Sequence, residues 1–352
     1  MLLEENKPLA PLTTLGIGGP ARWFAEAYTE SDIAEAAAWA REKGIALFVL
    51  GGGSNLVVAD PGFEGLVLRI RLGGMQTSRH GDSICLQAAA GEEWDRCVDR
   101  SLHEDCAGLE CLAGIPGTVG GTPVQNVGAY GQEVATTIIR VRAFDLETQD
   151  FVEFTNGQCA FAYRRSRFNT VDRGRYVVSC VDYRLKPHGV PNLRYADLQK
   201  AFPQGSNPTV AAVAKAVRRI RQSKGMLLVD GDPDCRSAGS FFKNPIVARE
   251  RVADIAAQAG NPPPCFPAGG SDDRVVKLSA AWLIEQSGFS KGYARGSVGL
   301  SSRHTLALVN RGGATAGQIL AFAKEIAAAV EARFAIRLEM EPELLGFAKG
   351  AG

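Results

Sequence analysis

The sequence is poor in histidine, with four in 352 residues, at positions 80, 103, 188 and 304. Its eight cysteines form no Cys-x-x-Cys pair. The clustered thiolates and imidazoles of a zinc site are therefore missing, and no metal is expected. An excess of one charge is missing too: 39 Lys+Arg against 38 Asp+Glu leave a net charge of +1. That excludes a strongly basic nucleic-acid binder, so an anionic ligand must be held by local clusters and backbone donors. No apolar run approaches the roughly 18 residues of a membrane span. The start, MLLEENKPLAPL, lacks the basic stretch and apolar core of a signal peptide. A cytoplasmic chain with reduced thiols is expected. Neither G-x-G-x-x-G nor G-x-x-x-x-G-K-[ST] occurs, so neither a Rossmann dinucleotide site nor a P-loop is supported.

What is abundant is glycine, 40 residues, and much of it is clustered. The clusters are TLGIGG (14–19), LGGGSNL (50–56), IPGTVGG (115–121) and QNVGAYG (125–131). Glycine lets backbone N–H groups come close to phosphate oxygens. Any one segment could be an ordinary turn. Together, with one directly after an apolar strand pattern, they point to a diphosphate cradle of another design.

Other segments carry chemistry with competing readings. GSFFKNP (239–245) sets Ser240, Lys243 and Asn244 around a Phe-Phe pair, which a core-plugging turn would also explain. Ser240 and Lys243 fit S-x-x-K, the signature of serine acyl-enzymes, but the companion motifs S-D-N and K-T-G are absent. Two basic runs, FAYRRSRF (161–168) and RRIRQSK (218–224), are either solvated faces or anion contacts. Asp230, Asp232 and Asp234 imitate the start of a calcium loop, but Cys235 replaces the required glycine and no glutamate closes it.

The patterning gives an α+β chain in three parts, with breaks near 72 and 224. A helix capped by Thr29 or Ser31 ends at Gly44 and leads into a strand at 46–50. A strand at 66–71 follows. Further strands are expected at 84–90 and 176–186, a hairpin at 139–154, and helices near 92–104 and 209–222. The last third should hold helices near 247–258 and 276–287 and a strand at 304–310. A helix opened by a Thr315/Gln318 capping box then leads to a final strand near 336–340.

The segments TTLGIGGPA, LGGGSNLVV, GLECLAGIPGTVGG, QNVGAYG, FAYRRSRF, LRYADL, GSFFKNP, VKLSAAWLI and EPELLGF cover 13 to 347. In this order they closely resemble the UDP-N-acetylenolpyruvoylglucosamine reductases, in the larger subtype that carries a tyrosine loop. The resemblance implies two FAD-binding parts, 1–72 and 73–223, in a vanillyl-alcohol-oxidase-like flavin fold. It implies a substrate-binding part over 224–352. It places non-covalent FAD among Gly51, Gly52, Gly53, Ser54, Asn55, Gly117, Gly120 and Gly121, with Gln125, Asn126, Gly128, Ala129 and Tyr130 by the ring and Arg221 near the phosphates. Neither 50–56 nor 115–121 holds a His or Cys for a covalent link.

The same resemblance assigns Arg164, Ser240 and Glu343 to catalysis. It assigns Tyr195, Lys224, Asn244 and His304 to the substrate. The implied reaction reduces the vinyl ether of UDP-N-acetylglucosamine enolpyruvate in peptidoglycan precursor synthesis. Hydride comes from NADPH through the flavin, and the enzyme is expected to act as a monomer. Two positions depart from the subtype: Leu345 stands where a basic residue is common, and His304 where a Gln can occur. Rival readings from other classes are a serine acyl-enzyme hydrolase or transferase, and a flavin or nucleotide binder without chemistry.

Overall fold

A computed structural model describes residues 1–268 and 273–348. The chain divides into two compact units. The first is Met1–Lys7, Ala21–Gly53 and Glu64–Ser223; the second is Pro8–Pro20, Ser54–Phe63 and Lys224–Gly352. Each has its own apolar core.

In the first unit, Thr29 caps the helix Glu30–Lys43. Its side chain accepts from Asp32 N while the Asp32 carboxylate returns the bond, and Gly44 ends the helix at φ 63. The helix buries Ile33, Ala36, Ala37 and Ala40. Leu47–Leu50 pairs in parallel with Phe63–Ile70, within a four-stranded sheet that also contains Leu3–Pro8 and Pro20–Ala27. These last two strands carry little apolar alternation and were not expected from the sequence. A larger antiparallel sheet runs Asp150–Thr155, Ile138–Asp145, Tyr176–Pro187, Ser83–Ala89, Met75–His80. Its first two strands form the expected hairpin, with Phe144 opposite Phe151. The helices Trp94–His103 and Val210–Ser223 complete the unit.

The second unit is a helix-rich α+β assembly. Its longest helix, Ala316–Phe334, opens with the Thr315/Gln318 capping box and buries Ile319, Phe322, Ala323, Ile326, Val330 and Phe334. The expected helices at 247–258 and 276–287 are shorter, Arg251–Ala259 and Ala280–Gln286. Their leading residues form strands instead, Ile246–Ala248 and Val275–Leu278, which pair with each other. The strand expected at 304–310 is only Leu308–Asn310, because 304–307 close a turn through Ala307 N to His304 O (3.1 Å). The final strand is displaced: 336–339 are not strand, and Glu343–Leu345 pairs in parallel with Leu56–Val58. That pairing draws 54–63 into the second unit.

Candidate functional site

In the first unit, the two glycine loops that the sequence singled out meet. A Cβ built on Gly52 would lie 2.6 Å from Gly117 Cα, and one on Gly51 would lie 2.7 Å from Thr118 Oγ1. Only glycine permits this approach, which lines a cradle with peptide groups rather than side chains. The loop at 114–118 is held from behind. Gly114 N donates to Asp95 Oδ1 (2.7 Å), and Asp95 is paired with Arg218 (2.8 Å). Arg221 Nε donates to Gly114 O (3.0 Å). So the second basic run splits by helical phase: Arg218 serves Asp95 and Asp99, while Arg221 turns into the loop. Burial pulls the Arg221 proton affinity down, and the nearby Arg164 charge adds to this. A buried guanidinium beside a second one is a place where phosphate or carboxylate would be stabilised. The residues present therefore fit a flavin diphosphate.

The segment 125–131 folds back as a short antiparallel pair, Gly128–Ala129 with Gln132–Glu133. Asn126 is buried at φ 47 and holds the pair. Its Nδ2 donates to Glu133 Oε2 (2.8 Å) and Ala162 O (3.0 Å), and its Oδ1 accepts from Ala135 N (3.1 Å). Ala162 and Arg165 close a four-residue turn through reciprocal backbone bonds of 2.9 and 3.0 Å. Arg164 occupies its third corner at φ 56, where glycine is favoured. A non-glycine there costs on the order of 1 kcal/mol or more. Within the first basic run, Arg167 pairs with Asp172 and lies over Phe154, and Arg165 is exposed. Arg164 is directed at the 125–131 loop: a Cβ on Gly128 would lie 3.4 Å from its Nη1. Tyr195 lies at the start of the helix Ala196–Ala201, with its ring edge-on to Tyr130 at 5.2 Å. Burial pushes the Tyr130 phenol up to about 12 and the Tyr195 phenol above its usual range.

In the second unit, GSFFKNP follows its core-plugging reading. Phe241 and Phe242 are fully buried and plug the core. The segment pairs with 339–341 through Lys243 N to Glu339 O (2.9 Å) and Glu341 N to Phe241 O (2.9 Å). Lys243 is taken by Glu339 at 2.5 Å, which argues against its serving Ser240 in an S-x-x-K pair. Ser240 is half-buried beside this core. Asn244 Oδ1 accepts from Ala280 N (2.9 Å), capping the helix Ala280–Gln286. Glu343 N donates to Asn55 O (2.9 Å), and Asn55 Nδ2 donates to Glu341 O (3.3 Å). The last residues of LGGGSN therefore brace the strand that carries Glu343. Leu345 is buried in that strand opposite Val58, an apolar position with no place for a basic side chain.

His304 is joined by two lysines. Burial first, then the charges of Lys224 and Lys291, push its imidazole down to about 4. Gly292 N donates to Ser301 O (3.0 Å), which ties the Lys291 segment to the 301–304 turn. The sequence reading missed Lys291, an isolated lysine in a polar loop. Asp232 and Asp234, whose likeness to a calcium loop the sequence already argued against, take Arg303. Arg303 Nε donates to Asp234 Oδ2 (3.0 Å), and its Nη2 pairs with Asp232.

A folded pKa below the ordinary 6.5 means that folding favours the neutral ring. That stabilisation is complete above pH 6.5 and is lost as the pH falls toward 4, at most about 3 kcal/mol. With four histidines, NMR of imidazole-labelled protein should resolve the His304 titration near pH 4. Lys291→Ala should move that midpoint upward. A midpoint at 6 or above in the unsubstituted chain would mean that the ring is not enclosed as described.

Comparison with known proteins follows the same division. The family described as "FAD binding domain" matches residues 21–152, and "UDP-N-acetylenolpyruvoylglucosamine reductase, C-terminal domain" matches 232–345. The UDP-N-acetylenolpyruvoylglucosamine reductase of Streptomyces coelicolor is 44% identical over 98% of this chain and 90% of its own length. That of Thermobifida fusca is also 44% identical, over 97% of this chain and 98% of its own. The crystal structure of the Thermus caldophilus UDP-N-acetylenolpyruvylglucosamine reductase superposes with a TM-score of 0.67 at 25% identity, covering 98% of this chain and all of that one.

Proposed function

Because the chain belongs to the UDP-N-acetylenolpyruvoylglucosamine reductase family, it is an FAD-dependent oxidoreductase of peptidoglycan precursor synthesis, and we propose how its residues divide the work. Bound FAD supplies hydride transfer to the substrate's methylene carbon, with NADPH as the proposed donor. The assignment rests above all on one observation: near full-length identity to reductases in a chain whose Gly52 and Gly117 backbones close on each other as a diphosphate cradle requires.

The enolpyruvyl group must gain a hydride at its methylene carbon and a proton at the adjacent carbon. Negative charge builds on that carbon and its carboxylate, and only groups that meet this charge accelerate the step. Arg164 suits the carboxylate, since its planar fork offers two parallel donors. The strained turn that presents it supports a role for the guanidinium itself. Ser240 delivers the proton; a hydroxyl is a weak acid, but the receiving carbon is a strong base. Glu343, braced by the Asn55 backbone, stabilises the enol form of the carboxylate. Lys224 and His304 meet the UDP portion, and Lys291 joins them. A neutral imidazole there offers one donor and one acceptor, much as the amide of Gln would. Asn244 and Tyr195 complete the substrate contacts.

Around FAD, we assign Gly51, Gly52, Gly53, Ser54, Asn55, Gly117, Gly120, Gly121 and Arg221 to the diphosphate side. Gln125, Asn126, Gly128, Ala129 and Tyr130 are assigned to the ring side. The division into 1–72, 73–223 and 224–352 belongs to the same proposal, as does action by a cytoplasmic monomer. Eight free thiols support that compartment.

The test is an assay of purified protein. NADPH oxidation should depend on UDP-N-acetylglucosamine enolpyruvate, and acid precipitation should release all the yellow colour to the supernatant. Oxidation indifferent to the enolpyruvyl substrate would leave a flavin binder without this chemistry. Flavin retained in the pellet would contradict non-covalent binding.

A further inference from the structure

Glu110 is a carboxylate with 1% of its surface exposed, and among the described residues its hydrogen bonds come from neutral groups. Its Oε2 accepts from Gly108 N (2.7 Å). Its Oε1 accepts from Asn192 N (2.9 Å) and from Gln132 Nε2 (3.2 Å). Each of these partners reaches further. Gln132 Oε1 accepts from Cys111 N (2.9 Å). Asn192 Nδ2 donates to Gly131 O (2.8 Å), and Asn192 O accepts from Cys111 Sγ (3.2 Å). Asn192 Oδ1 accepts from Arg194 N (3.0 Å), one residue before Tyr195.

One buried acid thus joins two segments that the chain separates widely. One is the root of the Tyr195 segment. The other is the turn Tyr130–Gly131, where Tyr130 sits at φ 49 and Gly131 at φ 77. The two tyrosine rings meet at 5.2 Å between these anchors. A neutral hydrophobic residue would hold a core equally well, and burying a carboxylate is costly unless its acceptors are filled. A carboxylate, unlike an amide, offers acceptors on both oxygens and can take three donors at once.

We infer that Glu110 is a positioning residue: it fixes the root of the Tyr195 segment against the Tyr130 turn and so sets where Tyr195 meets the substrate. The inference rests on the proposed contact of Tyr195 with the UDP substrate, and it deepens that assignment.

The test uses the full, FAD-loaded chain. Glu110→Gln keeps the shape but turns one oxygen into an N–H that faces an N–H donor. Loss of a bond to a charged acceptor corresponds to roughly tenfold or more. The KM for UDP-N-acetylglucosamine enolpyruvate should rise about tenfold, with FAD content and the rate of flavin reduction by NADPH unchanged. Asn192→Ala keeps the backbone bond to Glu110 but removes the links from that root to Gly131 O and Arg194 N; it should give the same split and serves if Glu110→Gln does not fold.

Tyr195→Phe provides the control for the underlying assignment. It should raise the same KM and leave NADPH oxidation by the flavin alone; no rise would refute the substrate contact itself. If Glu110 acts through Tyr195, adding Glu110→Gln to Tyr195→Phe should raise KM less than twofold further. Full multiplication of the two effects, or a Glu110→Gln protein that loses FAD and NADPH reactivity together, would overturn the positioning role and leave Glu110 as a structural acid.

Discussion

Ser240→Ala protein, loaded with FAD, should be reduced by NADPH at nearly the unsubstituted rate and then fail to turn over enolpyruvyl substrate. The second half-reaction should slow by roughly 10²–10⁴-fold, the usual worth of a positioned general acid. The structure explains why the variant should fold. The backbone around Ser240 is fixed by its neighbours: Phe241 N donates to Leu306 O (2.7 Å) and Glu341 N to Phe241 O (2.9 Å). The buried Phe241 and Phe242 supply the packing. Removing one hydroxyl from a half-buried position therefore subtracts chemistry, not structure. Ser240→Cys should keep part of the activity, because a thiol also donates a proton. Stopped-flow absorbance near 450 nm separates the two half-reactions. A slow NADPH step in a folded, yellow Ser240→Ala protein would sink the assigned role. Labelling of Ser240 by β-lactams or acyl esters would revive the acyl-enzyme reading, against which the Lys243–Glu339 pair already argues.

The other large effect is expected at Gly52. Its alanine Cβ would lie 2.6 Å from Gly117 Cα, and the obstacle is backbone with no flexible end to swing away. The two loops must part, and the N–H groups they present to an anion part with them. Gly52→Ala should purify nearly colourless, with FAD affinity lowered at least a hundredfold. It should also gain far less thermal stability from added FAD than the unsubstituted protein, since a ligand stabilises only in proportion to its binding. Gly157→Ala, whose Cβ meets nothing within 4 Å, should stay yellow. A yellow Gly52→Ala protein with ordinary affinity would show that the cradle tolerates a wider gap and that the flavin diphosphate is held elsewhere.

Much of this was readable in the sequence where the determinants are local. Thr29 with Asp32, and Thr315 with Gln318, announce helix starts through bonds spanning three residues. The alternation of Val141 and Ala143 with arginines announces a strand paired across a short turn. The glycine loops were legible as loops, but only the fold shows that Gly52 and Gly117 meet. What stayed hidden depends on partners far along the chain. Leu3–Pro8 is largely polar because it lies at a sheet edge, so periodicity gives no sign of it. The chain after the last helix reads as apolar strand at 336–340, yet the strand forms at Glu343–Leu345 because its partner Leu56–Val58 lies there. Glu110 hid inside the apolar run GLECLAG. A lone acid in such a run is itself a signal, since burial there must be repaid by donors.

The parallel pairing of Leu56–Val58 with Glu343–Leu345 also fixes an order of events during synthesis. Ser54–Phe63 emerges from the ribosome long before its strand partner, Glu343–Leu345. At about 5–20 residues per second, tens of seconds of translation separate the two. Over that interval the segment waits beside the Gly51–Gly53 loop without its sheet. The second unit therefore cannot close vectorially, and such long-range pairing is slow to form. A chain cut before residue 343 would leave the early segment without its strand partner, so the Glu343–Leu345 strand acts as a checkpoint on a loop made long before it.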